Sequence, residues 1–230
     1  IPLEIITGNY TWNTNLAANW KGIQQFRADD FFEFDNSKFG LYELKGAVAV
    51  NRQRAYQNLQ SRFGGGLSMT YAKSFQANFA KLFRMEASLL LPGFGKNHGL
   101  AIQQGFYEES NDNLYRFPNS FSLGRGHAIF GIQNAYRTSF DYKMPLFYPD
   151  VGINGITYIK RVRMNLFFDT TRSKDSVGET DLRSTGAEFR FDQTVFNLFD
   201  LPIGFRVGYR LPNEFLPDLN PVFINLIIGQ

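Results

Sequence analysis

The sequence predicts an all-β fold, a transmembrane antiparallel outer-membrane β-barrel with about 10–11 strands in this chain. Three observations carry that prediction. Apolar and polar residues alternate with a period of two in segment after segment, with almost no helical periodicity between them. Segments 40–52, 61–72, 134–147, 157–170 and 183–195 reach the roughly 9–11 residues that a bilayer-crossing strand needs, where strands in soluble domains average about 5–6. Aromatic residues also gather near segment ends (Trp12, Trp20, Phe147, Tyr148, Tyr158, Phe168, Phe196, Phe199), where barrel girdles meet the lipid–water interfaces.

The elements follow in order. Segment 2–7 reads as a short first strand and 12–22 as a weaker second one. Tyr42, Leu44, Gly46, Val48 and Val50 then alternate with Glu43, Lys45, Ala47 and Ala49. Phe63, Gly65, Leu67, Met69 and Tyr71 form the next apolar row. The glycines at 64–66 read as a bend or bulge in a curving sheet rather than a phosphate cradle, since no helix follows them. Met85, Ala87, Leu89 and Leu91 alternate with Arg84, Glu86 and Ser88, and 98–109 follows more weakly. Phe140, Tyr142 and Met144 face away from Ser139, Asp141 and Lys143. In "KRVRMNLFFD" (160–169), Val162, Met164, Leu166 and Phe168 are assigned to lipid, and Arg161, Arg163, Asn165 and Asp169 to the lumen. Ala187, Phe189 and Phe191 oppose Glu188, Arg190 and Asp192; Phe205, Val207 and Tyr209 oppose Arg206 and Arg210; and 221–229 closes the series.

The connections alternate as well. Those after 52, 91, 147 and 196 are compact, while those after 22, 109, 171 and 211 are longer or more polar. Outer-membrane barrels keep long loops outside the cell and short turns in the periplasm. Residues 29–35, 111–126 and 173–180 are therefore expected outside, and 93–97, 149–155 and 198–202 in the periplasm.

Composition bounds the function. At 230 residues the chain fits one barrel domain, 1–230, either whole or as part of a longer chain. It opens at Ile1 with no signal-peptide pattern, as a mature form or a segment would. Net charge is +3, and no Lys/Arg cluster suits nucleic acid. Without cysteine there is no disulfide framework and no thiolate metal site. Aromatic residues make 17% of the chain, yet mean hydropathy is −0.26 and no apolar run reaches the ~18 residues of a membrane helix.

The expected partners are thus outer-membrane lipid and lipopolysaccharide, together with other outer-membrane or periplasmic proteins, and the expected location is the cell outer membrane. No enzyme activity, metal or cofactor is expected. His98 and His127 both fall in connections, away from any Ser–His–carboxylate set. The acidic stretch holding Asp29, Asp30, Glu33 and Asp35 could take a divalent cation against lipid phosphates, but a solvated outer loop is the preferred reading. Its Phe31 and Phe32 could equally touch a protein partner.

The inward row is the main constellation. Glu43, Lys45, Arg84, Glu86, Arg137, Asp141, Lys143, Arg161, Arg163, Asp169, Glu188, Arg190, Asp192, Arg206 and Arg210 would share one lumen. With both signs interspersed, cross-strand ion pairs are expected. They either fill a narrow barrel with a polar network or line a weakly selective channel.

Three stretches carry a family resemblance: "LLLPGFGKNHGLAIQQGF" (89–106), "FDYKMPLFYPDVGINGITYIKRVRMNLFFD" (140–169) and "STGAEFRFD" (184–192). They resemble the C-terminal barrel of Bacteroidota outer-membrane proteins that often carry a TolB-like propeller. More distantly, the order is similar to the last strands of the BamA-type outer-membrane assembly superfamily. There an Arg-Gly pair on a long extracellular loop precedes a strand ending in a Pro-apolar step, and then a strand ending in an aromatic and an Asp. The counterparts here are Arg125-Gly126, Met144-Pro145-Leu146 and Phe168-Asp169. His127 stands where an aromatic usually follows, and Thr171 where a Gly does. The resemblance implies a membrane anchor or a subunit of an outer-membrane complex, with a porin-like channel or a BamA-type insertase or translocase as the alternative. If the superfamily's sixteen-strand barrel applies, the first strands lie outside this chain.

Two placements of Arg125 follow. Its loop folds into the lumen and its guanidinium pairs with Asp169 first and Glu188 second, within a network of Arg163, Arg190, Asp141, Lys143 and Arg206. Otherwise Arg125 is solvated outside, and Asp169 pairs with Arg163 or Arg190.

Overall fold

The computed structural model describes residues 2–28, 34–53, 58–75, 80–110, 117, 121–127, 132–153, 155–174, 178–212 and 220–229; for 23–28 and 34–39 it describes the backbone alone. Among the described residues there are thirteen strands and no helix. They are β1 (Pro2–Thr7), β2 (Tyr10–Ala28), β3 (Phe34–Arg52), β4 (Gly64–Ser74), β5 (Lys81–Pro92), β6 (Gly99–Ser110), β7 (Asn134–Phe147), β8 (Val151–Ile153), β9 (Thr157–Lys174), β10 (Glu179–Val195), β11 (Phe199–Asp200), β12 (Ile203–Arg210) and β13 (Val222–Ile228). Eleven of them lie side by side in chain order, from β1 to β13; the short β8 and β11 pair with β9 and β10 off that path. Every pairing is antiparallel. This is one up-and-down sheet with β1 and β13 at its edges.

Register turns the alternation into two faces. One row runs Ile5, Trp12, Val50, Gly65, Leu89, Ile102, Phe140, Phe168, Thr185, Tyr209, Val222, so that every strand of the path adds one residue to it. The row one residue along runs Glu4, Asn13, Ala49, Gly66, Ser88, Gln103, Ser139, Asp169, Ser184, Arg210. The first is mostly aromatic or aliphatic, the second polar or small. A one-residue slip would exchange them, so the pattern also fixes the register.

The apolar face is bare. Leu16, Leu44, Leu89, Phe140, Leu166, Phe205 and Ile224 are all exposed on it. Where β7, β8 and β9 turn beside β10 and β11, Phe147, Tyr148, Val151, Ile153, Phe196 and Phe199 form an exposed aromatic and aliphatic rim. The accessible surface is 14459 Å², whereas a compact monomer of this mass would expose roughly 10,600 Å². Val162 departs from its assignment to lipid: it is 4% exposed, flanked in register by Phe147 and Phe191, two of the largest neighbours a strand row can supply. Leu166 and Phe168, farther along the same strand, are exposed as expected.

The main packing is on the polar face. Near the end that carries the 111–133 connection, Phe117, Phe121 and Leu123 join Leu41, Leu82, Tyr107 and Leu182 in an apolar cluster. This is the core of the described structure. Burial there depends on a connection laid across the strands rather than on a second sheet.

Three local expectations need correction. The strands flanking the acidic stretch run farther than expected: β2 continues to Ala28 and β3 begins at Phe34, which places Asp35 in β3. Hairpin pairing satisfies backbone groups whatever the side chains, so a polar stretch can extend a ladder. Asp29, Asp30, Phe31, Phe32 and Glu33 lie outside the described residues. The expected loop at 173–180 shrinks to 175–178, with Arg172 and Asp181 paired at 3.0 Å across the extended hairpin. The glycines at 64–66 mark no bulge, since β4 keeps register with both neighbours. A Cβ at Gly64 would sit 2.6 Å from Asn51 Oδ1 and 2.9 Å from the Val50 carbonyl, so close approach explains that glycine. The register shifts fall at Pro145/Phe147, where Pro145 lacks an N–H to donate, and at Asp192/Gln193.

Candidate functional site

The site lies on the polar face of β7, β9, β10 and β12. Strand register brings Asp141 opposite Phe167 and Lys143 opposite Asn165. It likewise sets Asn165 opposite Glu188, Glu188 opposite Arg206, and Arg163 opposite Arg190. Alternation on four strands thus delivers charged and polar tips to one patch.

The connection between β6 and β7 then covers it. Tyr107 and the Phe117 N–H both donate to the buried Glu109 carboxylate, anchoring the start of the crossing. Arg137 Nη1 donates to the Ser122 carbonyl at 2.6 Å and stacks over Phe121. The Gly124 N–H donates to Thr171 Oγ1 at 3.1 Å and the Arg125 N–H to Asp169 Oδ2 at 2.8 Å. Farther along, Arg210 Nε donates to the Gly126 carbonyl, and Arg210 stacks over Phe223 of β13. Gly126 has φ +83°, and a Cβ there would strike the Phe223 ring at 2.5 Å, so both backbone and space require glycine.

Arg125 is the centre of the network. Its guanidinium reaches Asp141 at 2.7 Å, Asp169 at 3.4 Å and Glu188 at 3.7 Å, and its Cζ sits 4.4 Å from the centroid of the Phe167 ring. A planar fork of donors stacked on an aromatic face is an arrangement that arginine makes and lysine does not. The three carboxylates are nearly inaccessible, Asp169 at 1%. Around them, Arg206 pairs with Glu188 at 2.8 Å and Arg190 with Glu188 at 3.3 Å, while Arg161 and Arg163 share Asp192 at 2.6 and 2.9 Å. Asn165 Nδ2 bridges Asp141 and Glu188.

The structure therefore brings Arg125, Asp141, Lys143, Arg163, Asp169, Glu188, Arg190 and Arg206 together, and the solvated placement of Arg125 is not the one observed. The order of its partners differs from expectation, since Asp141 is the nearest carboxylate rather than Asp169. The reason is register: Asp141 lies opposite Phe167 and Asp169 opposite Ser139, so the two carboxylates are diagonal neighbours on one face and Arg125 reaches both. The alternative partners of Asp169 are taken elsewhere, Arg163 by Asp192 and Arg190 by Glu188.

Phe167 was not singled out, while Asn165 reads only as facing the lumen and Thr171 only as a departure from the family pattern. Each has the same strand parity as Arg163 and Asp169, and that parity is the signal that would have found them.

The other candidates lie apart. His98 packs edge-on against Tyr142, with Nδ1 2.9 Å from its hydroxyl, so the turn residue is engaged with protein. His127 is half-buried under the loop with Nε2 3.3 Å from the Arg183 carbonyl, and burial holds its imidazole below the ordinary range. Among the described residues no group of three or more His, Cys, Asp or Glu could hold a metal ion. Neither the protein-family models nor the curated proteins compared with this chain match its sequence.

Proposed function

We propose that this chain is a transmembrane outer-membrane β-barrel domain that anchors a larger protein or complex in the membrane. The observation that carries the reading is the apolar row extending across all eleven strands of the path, bare on its outer side, opposite a polar face. A soluble sandwich would cover that row with a second sheet; lipid covers it in a barrel, which keeps its charges inside. An exposed apolar surface of this extent in water would far exceed the few hundred Å² usual for a soluble monomer.

Two features favour an anchor over an open channel. The loop and its ion pairs cross and narrow the polar face of the C-terminal strands, and the chain resembles Bacteroidota barrels that often carry a TolB-like propeller. Closure is part of the proposal. With eleven strands, β1 and β13 run in the same direction, so an all-antiparallel barrel takes an odd number of further strands. The sixteen-strand superfamily barrel would take five.

The second reading is a porin-like channel or a BamA-type insertase or translocase. It draws on the small residues Ala47, Ala49, Gly66 and Ser68, which line the polar face of β3 and β4 and stay exposed or partly exposed. Two measurements test the pair of readings. Under the first, the full-length protein resists alkaline extraction from outer membranes and gives no discrete conductance steps in planar bilayers. Release into the soluble fraction would sink both readings, whereas stable conductance would select the second.

A further inference from the structure

Charge does not balance beneath the loop. A cavity of about 310 Å³ opens beside Arg125, its wall carrying five cations and only two carboxylates, Asp141 and Glu188. Including Asp169, Asp192 and Arg161 just beyond the wall leaves six cations against four carboxylates. Glu188 is shared by three arginines, and Lys143 makes no ion pair among the described residues. Arg163 and Arg206 reach their carboxylates through Nε alone, which leaves further N–H donors on each guanidinium fork.

We propose that this cavity binds a small soluble oxyanion of the phosphate or carboxylate type, held by Lys143 with Arg163, Arg190 and Arg206. The size lies at the low end of ligand pockets, about 300–1,000 Å³. Cations gathered in a confined, partly desolvated space repel one another, and an anion that accepts several N–H donors relieves the repulsion. Guanidinium groups suit planar or tetrahedral oxyanions, whose separate oxygens match the two arms of the fork, whereas a spherical halide offers both arms a single atom. The site faces away from the bare apolar surface, so a lipid phosphate is not its ligand. Nothing in this inference depends on whether lipid covers that surface.

The test is calorimetric titration of inorganic phosphate into the full chain in a maltoside detergent at constant ionic strength. Saturable binding is expected, with chloride at least tenfold weaker. Lys143→Gln should weaken phosphate binding severalfold and the Lys143→Gln/Arg190→Gln pair at least tenfold, while Lys96→Gln, in the exposed β5–β6 turn, should leave it unchanged. If the double variant fails to fold, a phosphate-dependent rise in the melting temperature of the parent chain, reduced in Lys143→Gln, decides the question. Short-chain phosphatidylglycerol should not compete. No saturation, equal binding of chloride, competition by the lipid, or indifference to the Lys143 substitution would each overturn the proposal.

Discussion

Strands β1 and β2 are built from the same alternation as β9 and β10, yet they end in different states. In β1, and in β2 as far as Gly22, no residue is buried on either face. In β9 and β10 the apolar face is open to the outside apart from Val162, but Asp169, Thr171, Ser173, Leu182, Ser184 and Glu188 are buried on the other. Strand patterning is not the cause, since β2 is as long as β9 and β10 and alternates as they do. The difference lies in the crossing: its described residues, Phe117 and 121–127, reach β6, β7, β9, β10, β12 and β13, while no described contact of theirs falls on β1 or β2. Alternation decides which face a residue occupies, and the loop decides which of those residues leave water.

Removing the arginine at the crossing should separate the two regions most. Arg125→Ala leaves three nearly inaccessible carboxylates short of their shared cation. Breaking a buried pair in this way costs about 3–5 kcal/mol. Denaturant unfolding should register that loss, and protease cleavage within 117–127 should accelerate. Arg125→Lys keeps the charge but not the fork or the stacking on Phe167, so it should recover only part of the stability. Unchanged unfolding in Arg125→Ala would mean that the crossing is passive.

Next in size is a charge on the bare face. Leu166→Arg in β9 and Leu16→Arg in β2 should each destabilise the reconstituted protein by roughly 2–4 kcal/mol if both lie near the membrane middle. A penalty at 166 alone would confine lipid contact to the C-terminal strands.

The ion pairs of the two regions should also rank differently. Glu43 meets Lys21 and Lys45 at 3.2 and 3.1 Å, with both lysines about half exposed. Glu43→Gln should therefore cost under about 1 kcal/mol. Glu188→Gln, under three arginines, should cost more in the same unfolding assay.

Much of this site was legible because parity on a strand needs no structure. Arg163, Asp169, Glu188 and Arg190 follow from alternation, and Arg125 from its Arg-Gly step in a long connection. Asp141 was visible as an inward residue but not as the nearest partner of Arg125, because that depends on how β7 and β9 are registered. Phe167 was hidden by its neighbour: in "FFD" one ring faces out and the other in, and composition cannot separate them. The strand extensions at 23–28 and 34–39 were missed because polar residues read as loop, although a hairpin ladder is held by backbone groups.

The smallest expected effect is a pH response of the crossing. Burial holds the His127 imidazole below its ordinary 6.5, nearby Arg210 reinforces this, and the hydrogen bond to the Arg183 carbonyl and the charge of Asp169 oppose it. A base whose folded value is depressed contributes its full stability above its unfolded value and loses it as pH falls through the folded one. Once exchange rates are corrected for their intrinsic pH dependence, the protection of amides 121–127 should thus fall modestly from pH 7 toward pH 5, and His127→Gln should flatten that response. An equal response in the variant would assign the titration to another group.

The central claim is that the two faces meet different solvents. Spin labels placed singly at 166, 207 and 224, which share one apolar row across β9, β12 and β13, and at 165, 206 and 225 on the adjacent polar row, can be compared in lipid vesicles. At the first three, collisions with molecular oxygen should exceed those with a water-soluble nickel chelate. At the second three the order should reverse. Chelate-dominated collisions at 166, 207 and 224 would contradict the account and return the sheet to water.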